Sequence, residues 1–270
     1  MVEGLNMKIL FLFMSLFSLA AFAQDPLVQL SNFDQKVYSL KTKGVKDFVV
    51  DLESSKLTKQ LNEQMIFGQI KELIFRVYWT ANPERVAIEI IGLPEGFKEI
   101  KEELKLNITS MLENLIPLPI EKKFVGYTIT KGKQSGEYFA KDQTGVAPIP
   151  GYILKFDQQN RLVEIEGKKP VGSFQITPNY TKEPFTDGKW VLKSQVTNSS
   201  ESGQEFISKK DLFYTSHQGI GVLSQVKITT QQKWNAPDTK PLTIEETMNF
   251  KNYKIDSGEG LKYFLGESQN

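Results

Sequence analysis

The chain has 270 residues, no cysteine, one histidine, and 33 lysines and arginines against 32 aspartates and glutamates. Without cysteine there is no disulfide, no thiolate nucleophile and no zinc–cysteine site, and the balanced charge lacks the basic excess that a nucleic-acid surface needs. Stability must therefore come from packing, for which residues 24–270 are long enough to bury one sizeable core.

At the N-terminus, Lys8 precedes the apolar run Ile9 to Met14, which continues to Leu19, Ala20 and Ala21, while Ala21 and Ala23 flank Phe22. This is the charge, apolar core and small-residue pattern of a secretory signal peptide. Residues 1–23 are predicted to be removed before Gln24, leaving residues 24–270 as a single β-rich domain. The apolar run is too short to span a bilayer comfortably, and no cysteine follows the cleavage point to carry a lipid anchor. An exported protein that manages without disulfides points to a bacterial envelope. The expectation is a soluble, monomeric protein of the periplasm of a Gram-negative bacterium.

A first helix is predicted from Asp25 as N-cap and Pro26 at the first helical position, with the stripe Leu27, Leu30, Phe33, Val37 and Leu40 and a stop at Gly44. Strand signals follow from Val45. The segment from Ser55 to Met65 is ambiguous, because Leu57, Leu61 and Met65 fit a helix while its neighbours argue for a long hairpin. Phe75, Val77 and Trp79, then Val86, Ile88 and Ile90, alternate with other side chains, as strands with one apolar face do. A second helix is predicted after Pro94, with Phe97, Ile100, Leu104, Ile108, Met111 and Leu115 on one face and Pro117 and Pro119 as its end. Alternation resumes at Val125, Tyr127 and Ile129, and Gly132 to Gly136 forms a hairpin tip. Further strands are predicted at 152–156, 162–166, 174–177, 189–197, 212–215, 222–230 and 242–250, joined by polar turns such as Asp157 to Asn160 and Asp187-Gly188.

These elements give an α+β fold, mainly antiparallel β. About ten strands with one apolar face each exceed what two helices cover on a flat sheet. A strongly curved incomplete barrel wrapped around two or three helices is the expected solution. A cavity where helix and sheet fail to mesh would be lined by Phe75, Val77, Trp79, Ile88, Ile90, Tyr127 and Ile129, although aromatic and aliphatic side chains on alternating strands are most often ordinary core.

The order of elements resembles the periplasmic outer-membrane lipoprotein carriers and their lipoprotein-sorting relatives. The matching pieces are the leader, a helix before a first strand at 45–50, and the strand pair Glu72 to Ile91 broken at Asn82-Pro83-Glu84-Arg85. Later pieces are Gly151 to Asp157, Asp187 to Trp190, and Asn249 to Ile255. The resemblance implies an incomplete antiparallel barrel capped by helices, a hydrophobic site beneath them, and Arg85 tying the lid through backbone carbonyls. Its implied cargo is a lipid or lipoprotein acyl chain, with a membrane receptor in the envelope to accept it. The helix from Phe97 to Leu115 departs from the family's pattern and makes the lid different.

Catalytic sets are thin. His217, in Tyr214-Thr215-Ser216-His217-Gln218-Gly219, would have to serve any Ser-His-Asp triad alone, and no Gly-x-Ser-x-Gly elbow accompanies it. The adjacent pairs Glu102-Glu103 and Glu245-Glu246 diverge on any regular element and read as solvated faces. No phosphate-cradling loop, dinucleotide fingerprint or metal set is present, so no enzyme, metal or cofactor is expected. The alternative to a carrier is a structural or interaction module of the envelope with a solid core, its function on the exterior.

Overall fold

A computed structural model describes residues 26–63, 70–234 and 240–266. The predicted leader, its cleavage point, the N-cap Asp25 and Met65 lie outside these residues. Helix α1 (Pro26–Lys36) begins at the proline as expected and buries Leu30 and Phe33. It stops short of the predicted Leu40, because Val37 leaves it to form an isolated parallel bridge with Trp190. The Tyr38 N–H donates to the Trp190 carbonyl, and the Trp190 N–H donates to Lys36. Gly44, with φ of +89°, then closes the turn into β1 (Asp47–Ser54).

Helix α2 (Ser55–Glu63) settles the ambiguous segment as helix, with Leu57 and Leu61 buried and the Ser54 hydroxyl accepting from the Leu57 N–H at its start. The hairpin of β2 (Ile74–Ala81) and β3 (Glu84–Ile91) follows, then α3 (Lys98–Met111), which tightens into a single 3-10 turn at Leu112–Asn114. After Pro117 and Pro119 comes the short α4 (Ile120–Lys123). The remaining strands are β4 (Tyr127–Lys131), β5 (Glu137–Asp142), β6 (Gly151–Phe156), β7 (Leu162–Lys169), β8 (Gly172–Thr181), β9 (Val191–Glu201), β10 (Gln204–His217), β11 (Ile220–Trp234) and β12 (Leu242–Ile255), with helix α5 (Glu259–Leu265) last.

All twelve described strands belong to one antiparallel sheet in the order β3-β2-β1-β12-β11-β10-β9-β8-β7-β6-β5-β4. Strands β4 to β12 form an uninterrupted meander, and the N-terminal strands add to its last member. The sheet is not closed into a barrel, since β3 and β4 remain its two edges. Tight turns explain the meander: β10 and β11 join through Gln218 and Gly219 at φ of 52° and 78°, and β9 and β10 through Ser202 and Gly203 at 50° and 78°. Two consecutive positive φ values match the twist of the flanking strands. The sheet exceeds the expected strand count, and β5, beyond the Gly132–Gly136 tip, went unpredicted, as did α5. In place of two or three helices there are five among the described residues.

Helices α1 to α4 cover one face of the sheet in two patches. The first buries Phe48, Val50, Leu52, Phe75, Val77, Trp79 and Met248 against Leu57 and Leu61 of α2 and Leu104 and Ile108 of α3. The second packs Leu30 and Phe33 of α1 and Ile120 of α4 on Tyr138, Ala140, Leu154, Phe156 and Leu162. On the other face α5 seals β1 and β2, where Tyr263 stacks on Tyr78 at 4.0 Å and Asp47 accepts from the N–H groups of Gly258 and Gly260.

Candidate functional site

Between the two core patches the packing is incomplete. A cavity of about 280 Å³ runs along this seam, lined by Leu40, Phe48, Trp79, Leu115 and Leu212 from the first patch and Phe33, Ile120 and Leu162 from the second. Its cover is α1, the segment from Val37 to Thr42 and the linker Glu113 to Ile120, while its floor reaches from β2 to β7 and β8. Helix α3, the departure noted in the sequence, packs beside this space on the first patch and leaves the covering to its C-terminal linker.

Most polar groups around the cavity are held in place by a nameable partner. Asp34 of α1 accepts the backbone N–H groups of Ile120 at 2.7 Å and Glu121 at 3.0 Å, which fixes α4 to α1. Burial raises the Asp34 carboxyl above its usual range against the pull of those two bonds. Lys123 pairs with Glu113. Glu84, at the β2–β3 turn, pairs with Lys41 at 2.8 Å and Lys122 at 3.6 Å, and thereby ties the edge of the sheet to the cover. Tyr38 and Tyr214 donate to the carbonyls of Gly221 and Leu192 at 2.9 Å and 3.0 Å, and burial pushes both phenols up. They are neutral donors already in use.

Two groups stand apart. The Trp79 ring, stacked on Phe48 at 5.1 Å, is 1% exposed, yet among the described residues no acceptor reaches its Nε1–H. A buried donor without a partner costs free energy comparable to a lost hydrogen bond. Lys210 of β10 is half-buried and donates to Asn114 Oδ1 at 2.8 Å, and no carboxylate lies within 4.0 Å of it among the described residues. Burial holds its ammonium below the usual range, with Glu113 opposing the shift and Lys123 adding to it.

Of the seven predicted cavity residues, Trp79 lines this space. Phe75, Val77, Ile88 and Ile90 point to the same face but pack within the first patch, beneath α2 and α3. Tyr127 and Ile129, on edge strand β4, pack at the margin of the second, where the Tyr127 hydroxyl donates to the Ile149 carbonyl at 2.8 Å. Arg85 sets its guanidinium 6.0 Å from the Phe264 ring of α5, away from the cover, and the tie to the cover is made one residue earlier by Glu84. His217 ends β10 opposite Ile220 at a hairpin turn. No cluster of three or more potential metal ligands occurs among the described residues, and no described helix is long and apolar enough to cross a membrane.

No family model, curated protein or solved structure matches the chain. The site therefore has to be read from its own chemistry. A further groove of about 970 Å³ crosses β5 to β10 and is lined by residues of both faces, Phe139, Ile153 and Ile207 from one row and Tyr152, Phe174 and Phe206 from the next.

Proposed function

We propose that the protein is an exported, periplasmic carrier that shields a lipid or acyl chain in the cavity between its sheet and its helical cover. The observation that carries this reading is the seam itself: large apolar side chains from sheet and helices, Trp79 among them, converge on a space they do not fill. Close packing is the rule in protein interiors, so a void of this size among Phe, Leu, Ile and Trp favours an occupant. Removing apolar ligand surface from water supplies roughly 25 cal/mol per Å², with displacement of the cover opposing it.

The strand order supports a strongly curved sheet beneath the cover. Trp79 on β2 and Leu162 on β7 lie seven strand steps apart, roughly 34 Å across a flat sheet at about 4.8 Å per step. Both line a cavity of about 280 Å³, which a sheet curled toward its helices accounts for. The incomplete barrel under helices is also what the resemblance to lipoprotein carriers implies, and the predicted leader is in keeping with such a carrier working between two membranes. Release then requires transfer to a membrane receptor that binds the cargo more tightly.

Native mass spectrometry and organic extraction of protein beginning at Gln24, prepared without detergent, test the reading. A reproducible bound lipid, displaced when Val37→Trp or Ile116→Trp fills the cavity and leaves the circular dichroism unchanged, is the expected result. Bare protein that also refuses fluorescent fatty-acid probes would overturn it and favour the groove across β5 to β10, as a surface for a protein partner.

A further inference from the structure

We infer that the cavity selects a single-chain amphiphile with an anionic head, and that Lys210 is the residue that binds that head. The inference rests on the carrier reading and adds the chemical class of the ligand. Charge pairing around the cavity carries it. Glu84 is matched by Lys41 and Lys122, Glu113 by Lys123, and Asp34 by two backbone N–H groups. Lys210 alone among the lysines lining the cavity has a neutral partner, the Asn114 amide oxygen.

Asn114 orients that ammonium. Its Nδ2 donates to the Met111 carbonyl at 2.9 Å, at the end of α3, which turns Oδ1 toward Lys210. An ammonium carries three donors, so two remain after Asn114 is satisfied. Of the carboxylates that could compete, Glu113 is paired with Lys123, and the buried Glu246, two strands along in the same cross-strand row, accepts from the Ser54 hydroxyl at 2.9 Å. A half-buried cation with no carboxylate within ion-pair distance is costly, and a carboxylate entering beside it gains a charge-assisted hydrogen bond. The cavity volume sits at the small end of ligand pockets, which suits one slender chain better than a bulky multi-chain lipid.

Calorimetric titration of the protein from Gln24 with laurate, lauryl alcohol and methyl laurate separates head from chain. Laurate is expected to bind at least about tenfold more tightly than the two uncharged probes, the ratio that about 1.4 kcal/mol of charge-assisted bonding gives. Lys210→Met should bring laurate down to the level of the alcohol and leave the alcohol unchanged, whereas Lys209→Met, one residue along and paired with Asp211, should change neither. If Lys210→Met does not fold, Asn114→Asp serves instead, since a carboxylate at that amide supplies the missing counter-ion and should weaken laurate alone. Equal binding of all three probes, insensitive to both variants, would overturn the head assignment while leaving the carrier standing. Failure of every probe to bind would overturn both.

Discussion

Trp79 concentrates the conflict between folding and binding in one side chain. Its ring fills the wall on Phe48, while its N–H sits where the fold provides no acceptor. Trp79→Phe keeps the stacking surface and removes the orphan donor, so thermal unfolding of the empty protein should change by less than about 1 kcal/mol or rise slightly. Asp51 shows the opposite arrangement, with every oxygen taken: Arg76 donates from Nε at 2.7 Å and from Nη2 at 3.2 Å, and Asn252 from Nδ2 at 3.0 Å. Burial would raise this carboxyl, but the bonds from Arg76 and Asn252 outweigh it and hold it below the usual 3.8. A folded value below the unfolded one means the contribution is complete above about pH 4 and is lost as pH falls through the folded value. Asp51→Asn should therefore cost about 1–2 kcal/mol near neutral pH, with the gap from the parent closing below about pH 4 in denaturant melts.

Helix α3 is the element the sequence describes best. Ile100, Leu104, Ile108, Met111 and Leu115 recur every three or four residues, and in the fold that stripe lies on the first core patch, with Ile108 fully buried. Ile108→Ala should cost about 2–4 kcal/mol through lost burial and the space left behind. Leu106, 74% exposed on the opposite face, should tolerate alanine within about 0.5 kcal/mol. Comparing the two by thermal melting checks that the helix is held by its packed face. Helix α1 shows where periodicity misleads: Val37 and Leu40 continue its stripe, yet backbone bonds to Trp190 draw the chain out of the helix at Lys36, and a pairing so distant in sequence leaves no local signal.

At the scale of the whole molecule, the question is how the cover is held on the sheet. Glu84 joins it to Lys41 and Lys122, all partly exposed, and ion pairs of this kind contribute only about 0–1 kcal/mol. They still restrain the edge of the cover where it meets the β2–β3 turn. Glu84→Gln should leave stability within about 0.5 kcal/mol and speed release of a fluorescent fatty acid by a few-fold, measured by stopped-flow dissociation. Raising the salt concentration should reproduce that acceleration in the parent, because exposed pairs are screened. An unchanged release rate in both cases would place the gate elsewhere.

The sequence by itself determined the polarity of the strands and helices that its periodicity made legible. Period-two alternation put Phe75, Val77, Trp79, Ile88, Ile90, Tyr127 and Ile129 on one common face, and that is the face the helices cover. Period alone could say which face is buried, since that depends on local backbone geometry. It could not say which part of the face is left unfilled, because that depends on where α1 and the linker after α3 come to rest. Only the tertiary structure brought Trp79 of β2, Leu162 of β7 and Leu212 of β10 around one space. Only there does Lys210, an ordinary charge on an alternating strand, meet Asn114 from 96 residues away, with no carboxylate within 4.0 Å of it among the described residues. Side-chain direction is local and legible, whereas a gap in packing and an unmatched charge belong to elements that meet only after folding.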